Sequence, residues 1–244
     1  MSPKKKHESV IAICIQEPTE DGSCMNMGAI RGDDLRILNE AFVVDTVRNA
    51  LGVDGIDVRL YHNDLPDQRH AAKHAVETAA EAGKAENGRF MLRERTRERW
   101  GTRIEGVFRD CFDSGYKHVL VFGNRTPTIT SAMMATALRM LKESDAVFGP
   151  TPDGRYYVIG MSGSMQIDLS GFDWKSPHIY SDVAHAFTKK KLSWSELEIW
   201  YAIENVDDLE IMARDINQYR FEGDDDTARN AEDVMERLIA KLEP

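Results

Sequence analysis

The fold of this chain is decided by residues 118–161, which read HVLVFGNRTPTITSAMMATALRMLKESDAVFGPTPDGRYYVIGM. The apolar run from Val119 to Phe122 is typical of a buried strand, and Gly123 ends it. In α/β proteins, ligands bind at the turn just past the carboxyl end of a central parallel strand. The turn GNRTP, residues 123–127, is therefore the first candidate for a site.

The rest of the chain alternates between strand patterns and helix patterns. Apolar runs predict strands at 10–15, 58–61, 146–148 and 156–161. The helical spacing of apolar residues, together with Ala-rich and charged segments, predicts helices at 35–50, 69–85, 102–114, from about 130, and at 181–189, 206–219 and 227–242. This alternation implies βαβ units and a mostly parallel sheet. Without any internal repeat, the pattern predicts one domain over residues 1–244.

Composition narrows the functional classes. The 244 residues include 42% hydrophobic and 30% charged residues, which is typical of a water-soluble globular protein. A formal net charge of -10 disfavours general binding to nucleic acid. Three scattered cysteines, Cys14, Cys24 and Cys111, fit neither a disulfide framework nor a metal motif, so we expect a reducing cytoplasm. No stretch is long enough to predict a membrane span.

Charge is concentrated near both ends of the chain. Residues 1–8 are basic and predict a solvated tail, because the apolar run behind them is too short for a signal peptide. Residues 222–244 predict an acidic linker followed by a helix. The acidic run 222–226 lacks the ligand spacing of a calcium loop, so we expect its last residue, Asp226, to cap that helix.

The central motifs resemble the GT-A (nucleotide-diphospho-sugar transferase) superfamily. The resemblance is nearest to a small glycosyltransferase-like family that typically reads G-S-D-x-P-x-L and then G-P-x-x-D-G-G-Y-Y-L-I-G. This chain has GNRTPT at 123–128 and GPTPDGRYYVIG at 149–160. Trp174 and the helix start WGTRI at 100–104 are also similar to family patterns, and the likeness spans roughly residues 8–216. It implies a three-layer α/β/α sandwich with a central mixed, mainly parallel sheet.

Three departures from the family pattern matter for chemistry. The loop at 18–27 lacks the family's Lys-Thr-Arg, Arg125 replaces an Asp, and only Glu204 remains of a late Asp-x-Asp. At about 4 Å, a guanidinium would oppose a divalent cation by ~4 kcal/mol at an effective dielectric near 20. We therefore expect no cofactor and no metal ligands at the family's divalent-cation position.

Arg125 has two interpretations that the sequence does not separate. It can bind a phosphate directly through two parallel charge-assisted hydrogen bonds, which would retain nucleotide binding without a metal. Alternatively, it can pair with a neighbouring acid such as Asp153 or Glu204 and block the site. Arg155, which replaces the family's second glycine, can likewise fill space that a substrate would need.

The resemblance places further residues at the site, each with a structural alternative. Asp153 and Glu204 are the candidate catalytic groups, although Asp153 can equally cap its own turn. Trp174 can stack on a sugar or base, or simply pack. The candidate ligand-binding residues are Arg103, Asn124, Arg125, Arg155, Tyr156 and Trp174.

Two charged segments outside these motifs need an interpretation. The run 93–99 can be a basic lip over an anion site or a loop leading into an exposed, salt-bridged helix turn. His70, His74 and Glu77 share one face of a predicted helix at a spacing that can hold zinc. They lack the Glu that follows the first His in zinc peptidases, and an exposed helix face is the simpler interpretation.

The sequence leads to two functional hypotheses. The first is a divergent nucleotide-diphospho-sugar transferase-like protein, a glycosyl- or nucleotidyltransferase if active. It would bind a nucleotide, a nucleotide-sugar or another phosphorylated small molecule at the carboxyl ends of the strands. The second is a non-catalytic GT-A-fold binding or assembly module. Neither hypothesis involves nucleic acid, and both leave the oligomeric state open.

Overall fold

The computed structural model describes residues 7–20, 23–81, 89–95 and 98–242. The strands are β1 Ser9–Cys14, β2 Thr19–Glu20, β3 Ser23–Cys24, β4 Asp57–His62, β5 Phe90–Glu94, β6 His118–Phe122, β7 Ala146–Pro150, β8 Tyr156–Ser162 and β9 Trp194–Glu196. The helices are α1 Asp33–Leu51, α2 Pro66–Glu81, α3 Trp100–Asp113, α4 Ser131–Leu141, α5 Ile179–Lys189, α6 Val206–Glu222 and α7 Arg229–Leu242.

Seven strands form the main sheet in the order β5-β4-β1-β6-β8-β7-β9. β6 occupies the middle position and pairs in parallel with β1. Within this sheet only β8 runs in the opposite direction, because it is antiparallel to both β6 and β7 while the other pairs are parallel. The predictions of a mixed, mainly parallel sheet and of a central strand at 119–122 are confirmed.

Alternating side chains of the strands pack into two cores, one on each face of the sheet. On β1, Ile11 and Ile13 face the core shared with α1, α2 and α4. Val10 and Ala12 face the core shared with α3 and α5. Both faces are therefore covered, which explains why β1 is a continuous apolar run rather than an alternating one. The predicted three-layer α/β/α sandwich is confirmed.

A third apolar cluster lies on the outer side of α1. There Leu38 and Phe42 pack with residues of α6 and α7. The first turn of α7 is held by the buried carboxylate of Asp45 on α1, which accepts hydrogen bonds from the backbone N–H groups of Asn230 and Ala231 at 3.1 and 2.8 Å. Asp45 thus takes the capping role expected of Asp226, because α1 and α7 pack directly against each other.

Two edge strands differ from the sequence prediction. β5 and β9 were not predicted, because β5 buries only Phe90 and ends inside the charged run, and β9 has only three residues. The run 93–99 therefore begins in a strand rather than in a loop, and its residues 96–97 lie outside the described part. The predicted tail at 1–6 and the helix end at 82–85 also lie outside it. Among the described residues, none of the helices combines the length and the apolar character that a bilayer crossing requires.

Candidate functional site

A cleft of about 1220 Å³ opens at the carboxyl ends of β1 and β6. Its walls come from the turn after β6, the first turn of α3, the β7–β8 turn and the loops around Trp174 and Glu204. Seven of the eight predicted site residues line it: Arg103, Arg125, Asp153, Arg155, Tyr156, Trp174 and Glu204. The fold brings these side chains together, although they lie up to about a hundred residues apart in the sequence.

Asn124 is the exception, because it is fully buried beneath the cleft. Its side-chain oxygen accepts a hydrogen bond from the backbone N–H of Gln16 at 2.7 Å. Its amide nitrogen donates to Asn39 Oδ1 at 2.9 Å, and Asn39 in turn donates to the Gln16 carbonyl at 3.1 Å. Asn124 therefore fastens the loop after β1 to α1 and to the turn after β6.

Arg125 lies in the floor of the cleft and is only 3% exposed. Its Nη2 donates to the Glu17 carbonyl at 2.8 Å, and its Nη1 lies 3.6 Å from Glu204 Oε1. The Arg125 carbonyl accepts a hydrogen bond from the backbone N–H of Ile203 at 2.8 Å. The turn after β6 thereby ties together the loop after β1 and the segment that carries Glu204.

Arg155 bridges the two candidate catalytic carboxylates. It makes two parallel hydrogen bonds to Glu204, from Nη1 to Oε1 at 3.1 Å and from Nη2 to Oε2 at 2.7 Å. Its Nε also donates to Asp153 Oδ2 at 2.7 Å. A fork-on-fork pair of this kind fixes both partners in orientation as well as in charge. Arg155 therefore neutralises and orients both carboxylates at once.

The pKa of Asp153 lies below its usual value. Burial alone would raise this pKa, but a hydrogen bond from Thr151 and the charge and hydrogen bonds of Arg155 outweigh it. The turn that holds Asp153 depends on Gly154, which has a φ of +80°. A Cβ on Gly154 would lie 1.8 Å from the Pro177 carbonyl oxygen, so a side chain does not fit there.

An aromatic wall closes the side of the cleft next to α3. The ring of Trp174 meets that of Tyr156 edge to face, with centroids 5.4 Å apart. Trp100 Nε1 donates to the Tyr156 hydroxyl at 2.7 Å, and Trp174 Nε1 donates to the Leu169 carbonyl at 2.8 Å. Desolvation by burial raises the pKa of Tyr156 well above its ordinary value, so its phenol stays protonated at neutral pH. The two hydrogen bonds fix the wall in place, and both Tyr156 and Trp174 line the cleft.

The first turn of α3 faces the cleft and contains no acidic residue. Its N-cap residue, Arg99, makes no side-chain hydrogen bond to the helix. Arg103 is 8% exposed, donates to the Glu98 carbonyl at 3.3 Å, and lies over the Trp100 ring at 5.3 Å from its centroid. Arg103 was among the candidate ligand-binding residues. Arg99 was not, although it belongs to the charged run 93–99, which one interpretation takes as a basic lip over an anion site.

Charges in the cleft are balanced although the chain as a whole is acidic. Of the described residues, ten that line it are charged, five cations and five anions: Arg99, Arg103, Arg125, Arg155 and Lys175 against Glu17, Glu98, Asp153, Asp173 and Glu204. Two of the arginines are engaged with Asp153 and Glu204 on the strand side. The cleft is therefore divided into an ion-paired floor and an arginine-flanked helix end.

The family model for uncharacterized proteins conserved in bacteria (DUF2064) matches residues 46–176, which is more than half of the chain. This chain belongs to the DUF2064 family. The segment matched by the DUF2064 model contains every predicted site residue except Glu204, which lies 28 residues beyond its end. No curated protein matches the chain.

Solved structures support the same fold for this DUF2064 protein. A protein from Desulfovibrio desulfuricans G20, assigned as a nucleotide-diphospho-sugar transferase, is 23% identical with a TM-score of 0.71, and the match covers 95% of this chain and 98% of that one. A cytidylyltransferase from Leptospira borgpetersenii is 9% identical with a TM-score of 0.54 and 96% of each chain covered. A CMP:2-keto-3-deoxy-manno-octonic acid synthetase, solved with CTP, is 10% identical with a TM-score of 0.51, covering 88% and 99%. At these identities, the likeness shows a GT-A-like nucleotide-diphospho-sugar transferase fold.

Proposed function

We propose that the cleft binds a nucleotide, a nucleotide-sugar or another phosphorylated small molecule, with its phosphate at the start of α3. The observation that carries this proposal is the start of α3 itself, where first-turn backbone N–H groups, which have no acceptor within the helix, and two arginines meet the cleft. The start of a helix attracts anions because its free N–H groups and its dipole both favour negative charge. Arg99 and Arg103 add guanidinium groups, which match phosphate geometry.

The aromatic wall suits the remainder of such a ligand. Trp174 and Tyr156 offer flat apolar surface beside the helix end, and rings of this kind stack on sugars and bases. The likeness to a nucleotide-diphospho-sugar transferase, a cytidylyltransferase and a CMP:2-keto-3-deoxy-manno-octonic acid synthetase solved with CTP agrees with a nucleotide as the ligand. On this basis the chain is a divergent transferase-like protein.

The glycosyltransferase-like family that this chain resembles has a divalent-cation position, and the corresponding residues here do not fit a metal ion. Of the positions that would supply ligands, 125 is an arginine, 202 is an alanine, and Glu204 has both oxygens bonded to Arg155. A cation there would have to displace Arg155 and tolerate Arg125. We therefore propose that phosphate binding is metal-independent and relies on the arginines and the helix end.

A second candidate function, a non-catalytic binding module, is favoured by Arg155. This residue forms ion pairs with both Asp153 and Glu204, so a substrate that needs either carboxylate must compete with the guanidinium. In this alternative, the ligand is bound and not converted.

Thermal-shift and calorimetric titrations test the binding proposal. Ribonucleoside triphosphates and UDP- and CDP-sugars are added to the chain, each with EDTA and separately with Mn²⁺. We expect at least one of them to raise the melting temperature in EDTA, because a ligand that binds only the folded state stabilises it. The Arg99→Ala variant should weaken binding about ten- to a hundredfold, since a charge-assisted hydrogen bond contributes about 1.5 to 3 kcal/mol.

The matched control is Arg139→Ala, which removes an exposed arginine of α4 away from the cleft. Its affinity should equal that of the unmodified chain. If no compound shifts the melting temperature, or if Arg99→Ala binds as tightly as Arg139→Ala, the proposed phosphate position is wrong. Product analysis with the ligand that binds then separates the two candidates, because a transferase consumes it and a binding module returns it unchanged.

A further inference from the structure

We propose that Glu40, His70 and His74 form a binding site for a zinc-like divalent ion on the outer surface, where α1 meets α2. The three side chains each offer one ligand atom, and these atoms all lie within 4.8 Å of one another. None of them lines the cleft. The proposed site is therefore independent of the proposed function.

The structure brings Glu40, and not the expected Glu77, to the two histidines. His70 and His74 are one turn apart on α2, as their spacing predicts, and their ring centroids are 4.4 Å apart. Glu77, expected as the third ligand, instead pairs with Lys73 at 3.7 Å. Glu40 reaches across from α1, and its two oxygens face one ring each: Oε2 lies 3.5 Å from His70 Nε2, and Oε1 contacts His74 Nδ1.

The Glu40–His70 separation of 3.5 Å is close to what a zinc ion requires, whereas Glu40 and His74 would have to move apart. With Zn–N and Zn–O bonds of about 2.0–2.1 Å, tetrahedral ligand atoms lie roughly 3.4 Å apart, so only small side-chain movements are needed. The two rings are 48% and 43% exposed, and Glu40 is 13% exposed. Water can therefore supply the fourth ligand. The Glu40 carboxylate is more buried than the two rings. Two imidazoles and a carboxylate suit zinc and neighbouring transition metals better than Mg²⁺ or Ca²⁺.

The chemistry points to a clamp between helices rather than to catalysis. The residue after His70 is Ala71, so the carboxylate that acts as general base in zinc peptidases is absent from this position. An ion here would connect α1 to α2. Asn39, the neighbour of Glu40, belongs to the hydrogen-bonded group that fastens the turn after β6. A bound ion would thus fix α1, the helix to which the turn after β6 is hydrogen-bonded.

One neighbouring charge opposes the ion and provides a sharp test. Arg36 Nη1 lies 3.8 Å from Glu40 Oε2. Arg36 also faces Asp33 at 3.4 Å and Asp67 at 4.0 Å, so it has other carboxylates to pair with. Because a guanidinium repels a divalent cation, removing it should strengthen metal binding. A purely structural histidine–glutamate cluster predicts no such effect.

Calorimetric titration of the EDTA-treated full chain with Zn²⁺ alone tests the proposal. We expect one Zn²⁺ per chain, a higher melting temperature, and with Co²⁺ the visible absorption of a tetrahedral complex. His74→Ala and Glu40→Gln should each weaken Zn²⁺ binding at least about tenfold, because even indirect supports of metal ligands contribute that much. Arg36→Gln should tighten it severalfold.

His185→Ala is the matched control, because it removes an exposed histidine of α5. It should bind Zn²⁺ like the unmodified chain, and circular dichroism should show that all four variants are folded. The proposal is overturned if the chain binds no Zn²⁺. It is also overturned if His74→Ala binds as well as His185→Ala, since the ion would then lie elsewhere.

Discussion

At the residue scale, Arg155 controls the acid–base character of the cleft. It holds Asp153 and both oxygens of Glu204. Those carboxylates are 48% and 25% exposed, so water also reaches them and limits the contribution of each ion pair to stability. Arg155 therefore affects which groups can react more than it affects whether the chain folds.

Replacing Arg155 with Ala should raise the pKa of Asp153 toward its usual value. The hydrogen bond from Thr151 remains, whereas the charge and hydrogen bonds of Arg155 are lost. Since the lowered pKa contributes stability that is lost as pH falls through it, the variant should also lose less stability on acidification. NMR titration of the Asp153 carboxyl carbon in both proteins measures the shift. An identical titration curve in the two proteins would contradict this account.

Burial bears on the two interpretations of Arg125, which either binds a phosphate directly or pairs with an acid and blocks the site. Its 3% exposure and its bond to the Glu17 carbonyl agree with a group that braces the floor. Its 3.6 Å separation from Glu204 is longer than a hydrogen bond, so the pairing expected in the blocking interpretation is loose. The proposed phosphate position accordingly lies at Arg99 and Arg103 rather than at Arg125.

At the scale of elements, the contact between α1 and α7 depends on a buried charge. Asp45 is fully buried and accepts hydrogen bonds at the start of α7, two of them from Asn230. Desolvation by burial nevertheless raises the pKa of Asp45 from 3.8 to about 6, outweighing those hydrogen bonds. A carboxyl whose pKa is higher in the folded state stabilises that state only while it is protonated.

The stability of the chain should therefore carry a pH-dependent contribution from Asp45. This contribution is fully present below about pH 4 and is lost as the pH rises through about 6. Between these limits, the free energy of unfolding of the unmodified chain should fall by about 3 kcal/mol relative to Asp45→Asn, at 1.36 kcal/mol per pKa unit. Urea unfolding of both proteins at pH 4 and pH 7 measures the difference.

The comparison needs a second aspartate as its control. Asp54→Asn removes an exposed carboxylate in the turn after α1, and it should follow the unmodified chain at both pH values. If Asp45→Asn also follows the unmodified chain, burial does not raise the pKa of Asp45 and its hydrogen bonds dominate.

At the scale of the whole molecule, stability comes from three apolar clusters: the cores on the two faces of the sheet, and the third cluster between α1, α6 and α7. The third cluster adds apolar burial to the outer side of α1, which is why this helix is buried on nearly every side. Helix α7 contributes Val234 and Leu238 at 5% and 6% exposure. The C-terminal helix is thus part of the packed structure, not an appendage.

Replacing Leu238 with Ala should lower the free energy of unfolding by about 2 to 5 kcal/mol, because it removes buried methyl groups and leaves a cavity. The neighbouring Ile239 is 53% exposed, so Ile239→Ala should change stability by less than about 0.5 kcal/mol. Chemical unfolding of both variants gives the comparison. Equal, small effects would mean that α7 does not share in the cooperative fold.

The sequence by itself determined the layers of this protein. Continuous apolar runs of strand length, such as 10–15 and 119–122, are typical of strands covered on both faces, and they alternate with helical patterns along the chain. The alternation of strands and helices was predictable because strand and helix periods are local properties of the chain. The mixed sheet was implied by the resemblance of residues 118–161 to the GT-A superfamily and not by periodicity. The edge strands β5 and β9 were not predicted, because a short or charged strand shows no distinct hydrophobic period in the sequence.

Tertiary structure alone decided what the charged and polar groups do. Asn124 turns inward to join Gln16 and Asn39, Arg155 reaches Glu204 across 49 positions, and Asp45 meets Asn230 across 185. Such pairs leave no mark in local sequence, because an ion pair or a hydrogen bond depends on distance in space and on burial. The same is true of Glu40, which approaches His70 and His74 only once α1 and α2 have packed.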